Sequence, residues 1–220
     1  MNTTTLMYLF RALVMLIAIP FHEAAHAFVS WRLGDSTAKD YGRMTMNPLA
    51  HFDPMGAICM IVAGVGWAKP VPTDTRRFKN PKAGMAITAL AGPVANLLLG
   101  YVSFVVFKLL AYFAPAGLAF TLLTDFFEYM VLINVTLAVF NLIPIPPFDG
   151  SRILLTFLPR RWYFGIMKYE RYIFVGMFLL LMLGVFDTPL YYARQAVLNT
   201  MNWTTHYIDI LALTFGAAAA

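Results

Sequence analysis

Four apolar stretches separated by polar segments set the pattern of this chain. A helix of about 20 apolar residues crosses the hydrocarbon core of a bilayer, and somewhat shorter or longer stretches are accommodated by tilt or local adjustment. The pattern therefore predicts four membrane-spanning helices, over residues 6–30, 84–111, 120–143 and 172–188.

Two further apolar runs are too short to cross a bilayer alone. Met55–Trp67 contains three glycines and lies within the polar segment 32–82. Its length favours a re-entrant or interfacial segment, whereas the β-branched and aromatic residues of 58–71 would also suit an extended hairpin. We therefore expect a re-entrant or β-hairpin segment near 55–72. The second run, Tyr207–Phe215, is expected to form a partial or surface helix.

Composition supports the membrane interpretation. The chain is 60% hydrophobic and 12% charged, with a mean hydropathy of +0.68. In soluble domains about a quarter of the residues are charged. The sequence therefore predicts an all-α polytopic membrane protein that forms one domain over 1–220, with no room for an appended soluble domain of ordinary size. The single cysteine, Cys59, excludes an internal disulfide.

Basic residues are distributed unevenly between the loops. Segment 32–82 carries eight lysines and arginines and segment 152–171 carries five, whereas the connection near 112–119 carries none. The positive-inside rule places the two basic segments in the cytoplasm and the N-terminus outside. Contact with anionic lipid headgroups accounts for the net charge of +5, so no nucleic-acid partner is expected.

Ionisable side chains interrupt the first apolar stretch at His22, Glu23 and His26. Such residues are rare in membrane-spanning segments and mark functional sites. Four residues apart on a helix, the two imidazoles lie on one face and can share a metal ion, with Glu23 beside them as a candidate general base. This His-Glu-x-x-His spacing is typical of zinc peptidases, in which the glutamate acts on a water bound to zinc.

A secretory signal peptide is the alternative interpretation of this stretch. Ala25-His26-Ala27 resembles a small-residue cleavage site, and cleavage there would remove the motif. However, the only basic residue near the start, Arg11, lies inside the apolar run rather than ahead of it. The rest of the chain is equally apolar, which favours a membrane span.

A catalytic zinc site needs a third protein ligand as well as an open position. The third predicted span ends near the same leaflet as the two histidines, in the proline-rich segment 141–150, which contains Asp149. Prolines there cannot all sustain helical hydrogen bonds, and unwound backbone at membrane depth is tolerated where it lines a wet cavity. Asp149 is therefore the favoured third ligand. His51 is the alternative, in a loop between two prolines.

Three motifs in this order resemble the site-2 protease family of intramembrane zinc metalloproteases, in its compact bacterial branch. They are His22-Glu23-x-x-His26, Gly92-Pro93-x-x-Asn96 and Asn141-x-x-Pro144-x-Pro146-x-x-Asp149-Gly150. The resemblance implies a three-helix metalloprotease core over 6–158, with one or two further spans and a tail over 159–220. It implies one Zn²⁺ per chain, held by His22, His26 and Asp149, with Glu23 activating water.

The resemblance also implies supporting roles for Asn96, Asn141, Pro144 and Gly150, in substrate binding or around the ligands. Asn96 would orient substrate backbone or a ligand carboxylate, or would form an interhelical hydrogen bond. Asn141 would also have such a supporting role, or would instead support the backbone at the helix break.

The implied substrates are membrane-spanning proteins or signal peptides, cut within the bilayer near its cytoplasmic side. The length leaves no room for the PDZ or CBS domain of many family members. The leading helix of larger members is expected to be missing, so that the helix with the His-Glu motif comes first. Protection of the site is then expected from the tail or from another subunit of an oligomer.

Rival functions are a transporter or metal permease, for which internal repeats of spans are missing, and a catalytically silent scaffold with a structural zinc.

Overall fold

Three long helices dominate the computed structural model, which describes residues 3–56 and 68–215. Helices α1, α3 and α4 are each long and apolar enough to cross a membrane, and their ends lie within three residues of the predicted spans. The helices that lie wholly within the described residues are α1 Thr3–Arg32, α2 Thr37–Asp40, α3 Pro81–Phe113, α4 Leu118–Asn141, α5 Asp149–Thr156, α6 Arg160–Lys168, α7 Glu170–Met182, α8 Asp187–Thr204 and α9 His206–Thr214. No strand occurs among these residues, and the prediction of an all-α polytopic membrane protein is confirmed.

The fourth predicted span, over 172–188, is a broken helix. α7 ends at Met182, α8 begins at Asp187, and the two axes meet at 85°. The pair is apolar enough to count as one bent span. Pro189 lies in the first turn of α8, where a missing N–H breaks no helical hydrogen bond. The chain therefore continues as a helix to Thr204, beyond the end that the pattern predicted.

α3 is the central helix of the bundle, and it contacts α1, α4, α5 and α9. Its buried residues include Gly84, Ala89 and Gly100, whose small size lets neighbouring parts of the chain approach closely. Met201 of α8 packs into a buried cluster with Val131 and Val135 of α4. These contacts hold α8 alongside α4, and α9 returns to α3.

The connection between α2 and α3 contains two short 3-10 turns, Pro48–His51 and Thr75–Arg77. Most of the predicted re-entrant or β-hairpin segment near 55–72 lies outside the described residues. Where the description resumes, residues 68–74 have no regular secondary structure. Pro70 and Pro72 lack an N–H, so this part of the chain cannot form the hydrogen-bond ladder of a regular strand.

Candidate functional site

Two imidazoles project from one face of α1. His22 and His26 lie one turn apart, and each is 7% exposed. Their Nε2 atoms are 2.9 Å apart, as the four-residue spacing predicts for side chains on one helical face. The α1 helix therefore presents two nitrogen ligands to a single point.

Asp149 completes this cluster from the first residue of α5. Its Oδ2 lies 3.1 Å from His22 Nε2 and 3.2 Å from His26 Nε2. A tetrahedral ion with metal–nitrogen bonds of about 2.0–2.1 Å separates its ligands by about 3.3 Å, which is close to this triangle. Among the described residues, these three form the group whose ligand atoms all lie within 4.8 Å of one another. They could hold one metal ion.

The other nitrogen of each imidazole is held by an acceptor on α3. His26 Nδ1 donates to the backbone oxygen of Thr88 at 2.7 Å, and His22 Nδ1 donates to Asn96 Oδ1 at 3.2 Å. A proton on Nδ1 leaves the Nε2 of a neutral imidazole as a lone-pair acceptor. Three acceptor atoms then converge without a hydrogen between them, and a cation at their centre relieves their repulsion. Metal-ligating histidines show this arrangement of outer hydrogen bonds.

Two glycines make room for the cluster. A Cβ atom at Gly92 would contact His26 Nε2 and would lie 2.5 Å from His22 Nε2. A Cβ atom at Gly150 would contact the Leu142 backbone and lie 2.7 Å from Ile143 O. Gly92 thus lets α3 approach the imidazoles, and Gly150 lets α5 approach the preceding loop, which sets the position of Asp149.

Glu23 faces the same cavity as the three candidate ligands. Its Oε2 accepts a hydrogen bond of 3.2 Å from the backbone N–H of Val71. The Val71 segment is itself fixed, because Lys69 N donates to His51 O at 2.9 Å and Arg43 Nη2 donates to Lys69 O at 2.6 Å. The carboxylate therefore has a defined position beside the cluster.

Asp35 anchors the far end of this segment. It is buried, and its Oδ2 accepts from Asp74 N at 2.8 Å and from Ser30 Oγ at 3.1 Å. Burial alone would raise the pKa of Asp35, but hydrogen bonds from Thr37, Asp74 and Ser30 hold that pKa below its ordinary value. Asp35 is thus a charged clamp between the end of α1 and the chain that leads into α3.

A cavity of about 440 Å³ opens onto the cluster. Its lining is apolar except for the three candidate ligands and the polar residues Glu23, Thr73, Thr88, Asn141 and Arg152. The apolar lining includes Ile19, Met85, Phe140, Phe174, Met177 and Phe178, which come from α1, α3, α4 and α7. An apolar cavity with a few convergent polar groups is the usual form of a ligand or substrate site.

The predicted supporting residues occupy distinct places. Asn96 is fully buried and forms an interhelical hydrogen bond, with the imidazole of His22 as its partner. Asn141 lines the cavity while its Nδ2 donates to Leu137 O at 3.0 Å within α4. Pro144 lies in the loop between α4 and α5. This loop packs closely against Gly150. His51 is not part of the cluster of three candidate ligands; its Nε2 bonds the backbone oxygen of Thr45 at 2.9 Å.

Sequence reasoning did not assign a role to Thr88, Gly92 or α7. Thr88 acts through its backbone oxygen, which leaves no trace in the residue type. Gly92 had a signal, because it belongs to the Gly-Pro-x-x-Asn motif. The four cavity-lining side chains of α7 follow a helical spacing at 174, 177, 178 and 181, which indicates only a buried face.

Comparisons with known proteins identify relatives of this chain. The model of Peptidase family M50 matches residues 107–184, which include Asp149. A Bacillus subtilis (strain 168) protein named "Putative zinc metalloprotease YwhC" is 40% identical over 183 residues, 82% of this chain and 81% of that protein. A Mycolicibacterium smegmatis protein named "Putative zinc metalloprotease Rip2" is 33% identical over 140 residues, 61% of this chain and 52% of that protein. No solved structure matches the chain.

Proposed function

The chain belongs to peptidase family M50, the site-2 protease family of zinc metalloproteases, and from this membership we propose that it hydrolyses peptide bonds of membrane-spanning substrates in regulated intramembrane proteolysis. The observation that carries the proposal is the convergence of His22 Nε2, His26 Nε2 and Asp149 Oδ2 beside Glu23 in one cavity. We propose these three residues as the ligands of one zinc ion, within a catalytic core over 6–158.

The residues around the cluster define the proposed chemistry. When bound, zinc supplies a Lewis acid that activates water for attack on a peptide carbonyl. Glu23 accepts the proton of the attacking water and returns it to the leaving amine. The hydrogen bond from Val71 N to Glu23 Oε2 fixes one carboxylate oxygen and leaves Oε1 for this transfer. Thr88 and Asn96 keep the lone pairs of both imidazoles directed at the ion.

The cavity also bears on how a substrate is presented. A helical substrate hides its carbonyl groups in hydrogen bonds, so cleavage requires local unwinding of the substrate span. The apolar wall formed by α1, α3, α4 and α7 suits the side chains of such an unwound segment. We propose that it passes next to Ala68, Pro70, Val71 and Thr73, which line the cavity. Disulfide mapping that never places a substrate near these residues would contradict this step.

The charge distribution supports an orientation. We propose that the basic segments 32–82 and 152–171 face the cytoplasm, with the N-terminus outside and the active site toward the cytoplasmic side. Proteins with a transmembrane anchor and residual signal peptides are the proposed substrates. Reporter fusions at the N-terminus and in the connection near 112–119 test the orientation.

The metal assignment is tested by the zinc content of the detergent-purified protein. We expect about one zinc per chain in the wild type and near none in Asp149→Ala, because two imidazoles alone cannot complete the site. His51→Ala is the matched control and should retain its zinc, since His51 bonds Thr45. A wild type without zinc under non-chelating conditions, or full retention in Asp149→Ala, would overturn the assignment.

The role of Glu23 is tested separately with Glu23→Gln. A glutamine preserves the shape and can still accept from Val71, but it cannot take a proton from water. We expect unchanged zinc content and thermal stability, with cleavage of a model transmembrane substrate reduced by at least about 100-fold. Retained cleavage would exclude the proposed base. Zinc without cleavage in the wild type would instead favour the silent scaffold.

A further inference from the structure

An isolated arginine lies in the C-terminal part of the molecule. Arg194 is the only lysine or arginine after Arg171. It lies on α8, which packs alongside α4 through Met201 and Val135. Its Nε is buried and has no hydrogen-bond partner, and its guanidinium carbon lies 5.8 Å from the ring centroid of Tyr191. In the part of the chain that the structure describes, no carboxylate forms an ion pair with it.

Arg194 opens into a second cavity, distinct from the one at the metal cluster. This cavity is shallow and open to the surroundings, has a volume of about 570 Å³ and lies where α8 begins, against Thr136 of α4. Asp187, Tyr191 and Arg194 line it and follow one another by four and three residues, so they share one face of α8. Asp187 and Arg194 are therefore two turns, about 10 Å, apart along the axis. Two opposite charges face one cavity without touching each other.

Two other cationic side chains at membrane depth are stabilised in different ways. Lys108 on α3 is 6% exposed and pairs with Asp209 at 2.8 Å. Arg11 is exposed in the third turn of α1, where its long side chain can reach the headgroup region. Arg194 has no ion-pair partner among the described residues, and it differs from Arg11 in that its Nε is buried against the protein. A partly buried arginine without a partner at this depth is a binding-site hypothesis by default.

The depth of the cavity indicates which layer of the membrane it meets. Thr136 lies five residues before the end of α4, which is about 7.5 Å along the helix. That end of α4 leads into α5 and the basic segment 152–171. The headgroup and acyl-chain boundary of a bilayer lies within such a distance of a helix end. Tyr191 and Tyr192 are exposed beside it, as is typical of side chains at this boundary.

From this arrangement we propose that the cavity at the start of α8 binds the headgroup of a phospholipid with a primary ammonium, of the phosphatidylethanolamine type. Arg194 binds the phosphate through its guanidinium fork, and Asp187 accepts hydrogen bonds from the ammonium. A zwitterion of this kind neutralises both side chains across the gap between them. The acyl chains lie along the exposed face of α8. The proposal does not depend on proteolytic activity.

Native mass spectrometry of the full chain, released from nanodiscs, tests this site directly. The probes are discs of phosphatidylcholine doped with equal amounts of phosphatidylethanolamine and phosphatidylglycerol. We expect one retained phosphatidylethanolamine per chain in the wild type and a loss of at least about tenfold in Arg194→Ala. Arg11→Ala is the matched control, because it removes an exposed arginine from another span and should leave retention unchanged.

Two further arms identify the ligand. Asp187→Asn removes the acceptor charge but not the arginine, so it should bind phosphatidylglycerol as well as phosphatidylethanolamine. Equal retention of both lipids by the wild type would overturn the assignment of Asp187. Inorganic phosphate added to delipidated protein should bind far more weakly; tight phosphate binding without lipid retention would overturn the lipid assignment.

A third variant distinguishes loss of lipid binding from misfolding. Arg194→Lys keeps the charge but loses the fork, and it should show reduced retention with the thermal midpoint of the wild type. Undiminished retention in both Arg194 variants would overturn the site.

Discussion

At one point along α3, His22, His26 and Asp149 bring three acceptor atoms within 3.2 Å of one another, whereas near its C-terminal end Lys108 meets Asp209 at 2.8 Å. Both clusters bury charge between α3 and other helices. The second contains its own cation, and Tyr112 adds a hydrogen bond of 3.0 Å to Asp209. In the first cluster the N–H donors are the Nδ1 atoms of the two imidazoles, and they point away from the three acceptor atoms.

This difference separates a binding site from a structural contact. An ion pair that satisfies itself needs no ligand, and its effect is to hold α9 against α3. A cluster of acceptors without a cation is costly unless a cation enters, because desolvated negative and lone-pair atoms repel one another. Burial of charge alone therefore does not indicate function; the balance of donors and acceptors does.

The largest expected effect comes from closing the space at the cluster. In Gly92→Ala the added Cβ would overlap the Nε2 atoms of both histidines, so zinc stoichiometry should fall from about one to near zero. Gly100→Ala on the same helix is the matched control, because its Cβ would meet no atom nearer than 3.4 Å. The two proteins are compared by metal analysis after gel filtration. Full zinc occupancy in Gly92→Ala would show that the cluster is not the metal site.

Breaking the ion pair at the other end should affect stability and not metal binding. Lys108→Met leaves Asp209 without its cation, and we expect a loss of about 3 kcal/mol in unfolding free energy. Zinc content should stay at the wild-type level. The double variant Lys108→Met with Asp209→Leu should recover much of the stability, because no charge is then left unpaired. Thermal unfolding in detergent measures both; an unchanged midpoint in the single variant would contradict the structural role.

Removing an outer hydrogen bond should weaken the metal site without destroying it. Asn96→Ala deletes the acceptor for His22 Nδ1, and we expect zinc affinity to fall by about 10- to 100-fold. Chelator competition measures this affinity. Asn134→Ala provides the control, since Asn134 is equally buried but bonds Met130 O of its own helix. Equal losses in the two variants would mean that Asn96 acts through packing alone.

The smallest effect concerns Asp35, a buried carboxylate that needs no cation because neutral donors reach it. Its pKa in the folded protein is lower than in the unfolded chain. Its contribution to stability is therefore fully present above the unfolded pKa, about 3.9, and is lost as pH falls through the folded pKa. Asp35→Asn should flatten the acid limb of the stability profile, as followed by the unfolding midpoint between neutral and acid pH. An identical acid limb in the two proteins would contradict this assignment.

The hydrophobic pattern was sufficient to predict the three long spans, because an uninterrupted apolar stretch has one stable form in a bilayer. The convergence of His22 and His26 was predictable from their four-residue spacing. The position of Asp149 beside them was predictable from its expected depth in the membrane. The partner of Asn96 was not predictable, because it depends on the rotation of α3 about its axis. The backbone oxygen of Thr88 carries no sequence signal.

The bent span shows a different limit of prediction from sequence. The predicted fourth span ended at 188, just before Pro189, yet the structure places this proline in the first turn of α8. The same residue type fits both positions, since proline disrupts a helix interior but not its first turn. The break itself lies at 183–186, where Gly184 has φ = +70°. A glycine within an apolar run is too common in membrane segments to mark a bend.

Residues 68–74 beside the cavity have a consequence for how the protein avoids misassembly. Of their seven backbone N–H positions, five are absent or already used: two belong to prolines, and Lys69, Val71 and Asp74 donate within the molecule. Open chain segments with free N–H and C=O groups are templates for the addition of strands from other chains. With so few donors to offer, this segment is a poor template. The cavity that we propose to take up an unwound substrate is thereby bordered by a segment that offers few hydrogen bonds to a foreign strand.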